Sequence, residues 1–190
     1  MHKVIIVGAG FAGLQAVKGL TTSSLEVTII DKYNYHLFQP LLYQVATAGL
    51  SPADIALPIR NIFRFHKNIK VILDELIKIN PQSNQITTKN NTYSYDFLVL
   101  ATGSEVSYFG HDKWKNFSPG LKNIEDAIFL RGRILKAFEK AERLKNKKEI
   151  EKVMKFVLIG GGPTGVEMAG AIAELSRNVL TKEFANIDTK

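Results

Sequence analysis

A chain of 190 residues with 45% apolar and 23% charged side chains falls in the range of one or two ordinary globular domains and is long enough to bury a core. Basic residues number 25 against 18 acidic ones, a formal net charge of +7, and no run approaches the roughly 18 apolar residues of a membrane-spanning helix. The absence of cysteine excludes disulfides, thiolate metal sites and a redox-active dithiol within the chain.

The N-terminus enters an apolar run directly, without the basic and apolar regions of a signal peptide, so a cytoplasmic location is expected. Lys3–Val7 is a β-branched strand pattern ending at Gly8, and Phe11–Leu20 follows with Leu14, Val17 and Leu20 at helical spacing. Glu26–Ile30 reads as a second strand closing at Asp31, 18 residues after Gly13. This is a βαβ unit around Gly8-Ala9-Gly10-Phe11-Ala12-Gly13. In such a turn the first glycine permits the sharp bend, the second lets the backbone approach a pyrophosphate, and the third lets helix and strand pack closely. The helix N-terminus offers N–H groups to the phosphates, and Asp31 stands where a ribose hydroxyl needs an acceptor. A generic tight βα turn would use the same glycines; the strand, helix and acidic residue together favour nucleotide binding.

Tyr33–Leu50 reads as a loop, with Pro40 disfavouring a helix before it, and Pro52–Phe65 as a short amphipathic helix. The loop aromatics Tyr33, Tyr35, Phe38 and Tyr43 either wall a flat ring system or fill space between sheet and helix, and spacing alone does not choose. Ile69–Ile79 alternates as a strand. Asn80-Pro81-Gln82-Ser83-Asn84 and Asn90-Asn91 are turn chemistry around Gln85–Thr88 and Thr92–Tyr95, which predicts a hairpin or three-stranded meander. Asp96–Ala101 is predicted as a central parallel strand buried on both faces. It ends at Thr102-Gly103, a second close backbone approach at the carboxyl end of the sheet, where open α/β sheets bind ligands.

Ser104–Asn123 is turn-rich and marks the expected boundary between residues 1–123 and 124–190. Ile124–Glu151 is predicted as one long charged helix with an apolar stripe of Ile128, Leu135, Phe138 and Leu144. Residues 131–155 hold ten basic and four acidic side chains. That stretch reads as a solvated face, with an anionic membrane surface as the other reading, and the scarcity of interleaved aromatics argues against nucleic acid. Phe156–Ile159 reads as a strand, Gly160-Gly161-Gly162-Pro163-Thr164-Gly165 as a second glycine turn, and Val166–Leu180 as its helix. Two such turns in one chain imply two dinucleotide sites, the plan of a flavoprotein that takes hydride from a nicotinamide. Only 25 residues follow Gly165, short of a complete second unit. The expectation is therefore the front part of a longer enzyme, which alone binds FAD weakly or not at all and lacks catalytic activity.

Val4–Leu14, the string Asp31-Lys32-Tyr33-Asn34-Tyr35-His36-Leu37-Phe38-Gln39-Pro40-Leu41-Leu42-Tyr43-Gln44-Val45-Ala46, then Leu57-Pro58-Ile59-Arg60, Leu98–Gly103 and Phe156–Leu175 together resemble type II NADH:quinone oxidoreductases. The resemblance covers essentially the whole chain. It implies an α/β fold: a Rossmann-type FAD-binding domain with a small β-meander over 1–123, followed by the start of a second Rossmann-type, NADH-binding domain over 124–190. It implies non-covalent FAD on Gly8, Gly10, Phe11, Ala12 and Gly13, with Asp31 on the adenosine ribose beside Lys32, and Ala101, Thr102 and Gly103 near the cofactor. It further implies Phe38, Pro40 and Leu41 beside the isoalloxazine, and NADH on Gly160, Gly162, Pro163, Thr164 and Gly165. Glu167 is the implied catalytic residue; its alternative role is a capping box from Thr164, whose spacing it matches. No metal is implied. NADH and a quinone would be the substrates, membrane contact would be peripheral on the inner face of the cell membrane through a segment beyond Lys190, and a homodimer is one assembly the reading allows, the sequence leaving the oligomeric state open. The rival functions are a flavin reductase with a soluble acceptor and a catalytically silent FAD-binding fragment.

Overall fold

The computed structural model describes residues 1–189. The chain divides into two compact units, Met1–Leu37 with Ala56–Ser104, and Phe38–Ile55 with the residues from Glu105 onward.

The first unit begins with β1 (Lys3–Val7), α1 (Phe11–Lys18) and β2 (Glu26–Asp31), as the sequence pattern predicts. With β5 (Ile69–Leu73) and β9 (Phe97–Leu100) they build a parallel sheet in the order β5-β2-β1-β9. Ile5 of β1 lies opposite Thr28 on one side and Leu98 on the other. Both faces of β1 are covered: Val4 and Ile6 pack with Leu14, Val17, Val27, Ile29, Ile59 and Phe63, while Ile5 and Val7 pack with Ile30 and Ile86. Alternate residues of a strand face opposite ways, so a strand sandwiched between layers is apolar throughout, and each fully buried side chain here contributes about 1.5–3 kcal/mol.

β9 departs from the expectation of a central strand. Among the described residues it pairs only with β1, at the edge of the sheet, and Phe97 and Leu100 are each more than half exposed. An apolar run shows that a strand prefers burial; only pairing decides its place in the order. The predicted strand Ile69–Ile79 is also two strands. β5 ends at Leu73, and β6 (Leu76–Asn80) starts an antiparallel meander with β7 (Gln85–Thr88) and β8 (Thr92–Ser94). The corner is organised by Asp74, buried, whose carboxylate accepts from Thr88 Oγ1 at 2.7 Å, the Glu75 N–H at 2.8 Å and Asn90 Nδ2 at 3.1 Å. Desolvation pushes the Asp74 pKa up, but these hydrogen bonds outweigh it, and the carboxyl lies below its usual range.

A pKa lowered by folding gives stability that is complete above the unfolded value of about 3.9 and is lost as the pH falls through the folded value. Acidification from neutral pH should therefore lower the melting temperature of the parent more than that of Asp74→Asn, which has no proton to take up at this corner. Equal acid sensitivity of the two proteins would rule out Asp74 as a source of it.

The 33–65 region is less simple than a loop and a helix. In the first unit β3 (Tyr35–Leu37) pairs antiparallel with β4 (Ala56–Pro58), which leads into α4 (Ile59–Ile62). In the second unit a 3₁₀ turn over Gln39–Leu41, with Pro40 in its first turn, leads into α2 (Leu42–Ala46), and α3 (Pro52–Ile55) follows. Pro40 thus starts a helical segment, a position where its missing N–H costs nothing. Pro58 breaks the predicted helix because the residue before proline is pushed to extended backbone, and Leu57 sits in β4.

The second unit continues with α5 (Ile124–Glu142), opened by a reciprocal capping box between Asn123 and Asp126. The predicted single helix ends at Glu142, and α6 (Lys147–Val153) restarts where the Asn146 side chain accepts from the Lys148 and Glu149 N–H groups. Asn146 works better as a cap than as an interior helical residue. The buried positions of α5 are Ala127, Ile134, Phe138 and Ala141, whereas Ile128 is half exposed. The buried stripe is thus rotated from the predicted one, with Ala127 and Ala141 fully buried in it. Phe156–Ile159 has no sheet partner among the described residues, and α7 (Pro163–Glu174) is followed by a wider helical turn at Leu175–Val179.

Candidate functional site

Two turns of the same design open α1 and α7. Gly8 has φ +100° and Gly160 φ +102°, a region that L side chains rarely adopt. A Cβ on Gly13 would run into the carbonyl oxygen of Gly8, and one on Gly165 into the carbonyl oxygen of Gly160. The first and last glycines of each turn are therefore required by the turn itself. The middle glycines are different: Gly10 and Gly162 are the extended N-caps of their helices, at φ −68° and −73°, and a Cβ on either would meet nothing within 4 Å. Nothing in the fold crowds these two positions, which leaves room at each for a close approach from outside the protein.

In the first unit the Phe11, Ala12 and Gly13 N–H groups lie ahead of the first helical bond of α1, which runs from the Leu14 N–H to the Gly10 carbonyl at 2.9 Å. No acidic side chain stands in the first turn to compete for an anion. Asp31 ends β2 beside this turn, and its Oδ2 accepts the Ala9 N–H at 2.5 Å while Oδ1 accepts the Tyr33 N–H at 2.7 Å. Each carboxylate oxygen keeps acceptor capacity, so Asp31 braces the turn and can still receive a hydroxyl. Lys32 lies over the Tyr33 ring at 5.4 Å, and Tyr33 stacks on Tyr35. Ala101 follows β9 and donates its N–H to the Val7 carbonyl at 2.8 Å. A Cβ on Gly8 would strike the Ala101 carbonyl, Thr102 is exposed, and Gly103 has φ +73°. The carboxyl ends of β1, β2 and β9 thus bring Gly8–Gly13, Asp31, Lys32 and Ala101–Gly103 together.

Phe38, Pro40 and Leu41 belong to the second unit, where Phe38 and Pro40 are exposed. Gly160–Gly165 and Glu167 are in that unit as well. There Val166 donates to the Gly162 carbonyl at 3.1 Å, and Pro163 occupies the first helical position without an N–H to satisfy. Glu167 is exposed on α7, past the first turn. The capping alternative for it fails: the N-cap is Gly162, not Thr164, and no side chain caps this helix.

Sequence reasoning missed His36 as a member of the first site. It is 6% exposed, places Nδ1 2.8 Å from the Ala9 carbonyl and meets the Phe11 ring edge-on at 5.2 Å. The only signal for it was its place in the His36–Tyr43 string. No cluster of potential metal ligands occurs among the described residues, and none of their helices is long and apolar enough to cross a membrane.

Residues 2–186 match the family described as pyridine nucleotide-disulphide oxidoreductase. The chain is 47% identical over 190 residues to the type II NADH:quinone oxidoreductase NdhA of Mycobacterium tuberculosis, covering 98% of this chain and 40% of that protein. It is 34% identical to the mitochondrial external alternative NAD(P)H-ubiquinone oxidoreductase B3 of Arabidopsis thaliana, covering 96% and 34%. The structure of NDH2 from Plasmodium falciparum in complex with NADH superimposes with a TM-score of 0.85 at 28% identity, over 96% of this chain and 39% of that one. The chain therefore spans well under half the length of these relatives.

Proposed function

Because this chain belongs to the pyridine nucleotide-disulphide oxidoreductase family, we propose that it is the nucleotide-binding part of an enzyme catalysing NADH + H⁺ + quinone → NAD⁺ + quinol. The observation that carries the reading is the pair of matched turns, each with a glycine N-cap that the fold does not crowd. FAD suits the first turn: the backbone can approach a pyrophosphate at Gly10, and Asp31 ends the next strand as a ribose acceptor. Bound there, FAD would supply the two-electron chemistry between nicotinamide and quinone.

In this reading the chain binds and orients. The N–H groups of Phe11, Ala12 and Gly13 hold the flavin-side pyrophosphate, Lys32 stands beside Asp31, and Ala101, Thr102 and Gly103 line the cofactor with bare backbone. Phe38, Pro40 and Leu41 provide the apolar wall of the isoalloxazine. Gly160, Gly162, Pro163, Thr164 and Gly165 hold NADH, and Glu167 handles the nicotinamide or the quinone. We assign 1–123 to the flavin part and 124–190 to the nicotinamide part. The chain has no cysteine, so no thiol within it relays electrons. A quinone dissolved in the bilayer makes the inner membrane surface the working place.

The test is to purify the native protein, record its flavin absorbance, and follow NADH oxidation with a ubiquinone or menaquinone analogue. Bound flavin and turnover in the ordinary enzyme range, roughly 1–1000 per second, are expected. Protein without flavin and without quinone reduction overturns the reading. In the same assay Glu167→Gln should cut turnover or raise the NADH requirement about tenfold with an unchanged melting temperature, since Glu167 caps nothing. Parental kinetics in that variant would remove Glu167 from the site.

A further inference from the structure

We propose that His36 is the positioning residue that aims the Gly10 N–H at the dinucleotide pyrophosphate, an inference that rests on the flavin reading of the first turn. Ala9 lies between the two glycines that bend and open this turn, and it is 1% exposed. Both of its peptide groups are held. Its N–H goes to Asp31 Oδ2, and its carbonyl lies 2.8 Å from His36 Nδ1. A carbonyl only accepts, so Nδ1 carries a proton and donates it to the Ala9 carbonyl.

The consequence is stereochemical. No cis peptide bond occurs among the described residues, and in a trans peptide the Ala9 carbonyl and the Gly10 N–H belong to one rigid plane and point in opposite directions. Drawing the carbonyl inward onto the buried imidazole turns the Gly10 N–H the opposite way, away from the imidazole. His36 is itself held by burial in β3 and by the edge of the Phe11 ring. Two peptide planes of the first turn are thus each held by a side chain of the protein itself, one by Asp31 and one by His36. Preorganisation of this kind raises affinity by removing an ordering cost from the binding step.

Leucine and asparagine have nearly the same size and shape, so His36→Leu and His36→Asn leave the same space but differ in the N–H donor. With flavin stripped from the native protein, the FAD dissociation constant of His36→Leu should rise about tenfold and that of His36→Asn should stay within about threefold of the parent. A role in packing alone would weaken both variants alike, and that result overturns the proposal. Gly10→Val serves as the site control: if the parent binds FAD, Gly10→Val does not and His36→Leu binds like the parent, the flavin reading stands and the His36 role falls. A parent that binds no FAD removes both. Should His36→Leu fail to fold, ¹⁵N shifts of the imidazole in unmutated protein decide the matter. The Nδ1–H tautomer is expected with and without FAD, and an Nε2–H tautomer overturns the proposal.

Discussion

Gly10→Val protein is expected to fold like its parent and to come through purification without flavin. Gly10 is the N-cap of α1 with φ −68° and ψ −169°, backbone that valine adopts readily, and a Cβ there meets nothing within 4 Å. Valine is a poor cap, so the stability cost is about 1 kcal/mol or less. In the proposed complex the same side chain stands where the pyrophosphate approaches, and FAD affinity should fall about a hundredfold or more. Gly13→Ala, a smaller change, should do the reverse damage. Its Cβ collides with the Gly8 carbonyl, forcing helix and strand apart at a cost of about 1–3 kcal/mol or more. Flavin absorbance and thermal melting of the two variants separate the effects. Parental flavin occupancy in Gly10→Val would show that no phosphate lies against the first turn.

Gly162→Val should leave flavin in place and raise the KM for NADH about a hundredfold. Gly162 stands at the start of α7 as Gly10 does at that of α1: it is the N-cap, at φ −73° and ψ 177°, with open space at its Cβ and no side-chain cap to lose. Gly160 and Gly165 do not offer so clean a probe, since the first has φ +102° and the second is pressed against the Gly160 carbonyl. Stopped-flow reduction of bound flavin by NADH is the direct measurement. Parental saturation behaviour in Gly162→Val would detach NADH from the second turn and leave only the first nucleotide assignment.

The sequence alone determined the two glycine turns, β1, α1, β2, the three-stranded meander and the position of Asp31. These are local features. A positive φ, a missing Cβ, strand alternation and a helix starting within three residues of a strand are all set by neighbours along the chain. The interior breaks were also written locally, at Pro58 and Asn146, but there the longer periodic pattern masked them.

Only the tertiary structure decided the rest. Leu98 to Leu100 have the apolar character of a central strand, yet pairing among the described residues leaves β9 at an edge. Ile128 has the spacing of a core residue on α5, yet the alanines at 127 and 141 are the buried ones and Ile128 is half exposed. Asp74 looks like any turn carboxylate until Thr88, 14 residues later, folds back onto it. His36 and Ala9 lie 27 residues apart, and nothing in spacing or composition connects an imidazole to that one carbonyl. Side-chain direction at such distances depends on how strands register and helices pack, so a motif can announce that a turn binds a phosphate while the residues that hold the turn in shape become visible only in the folded chain.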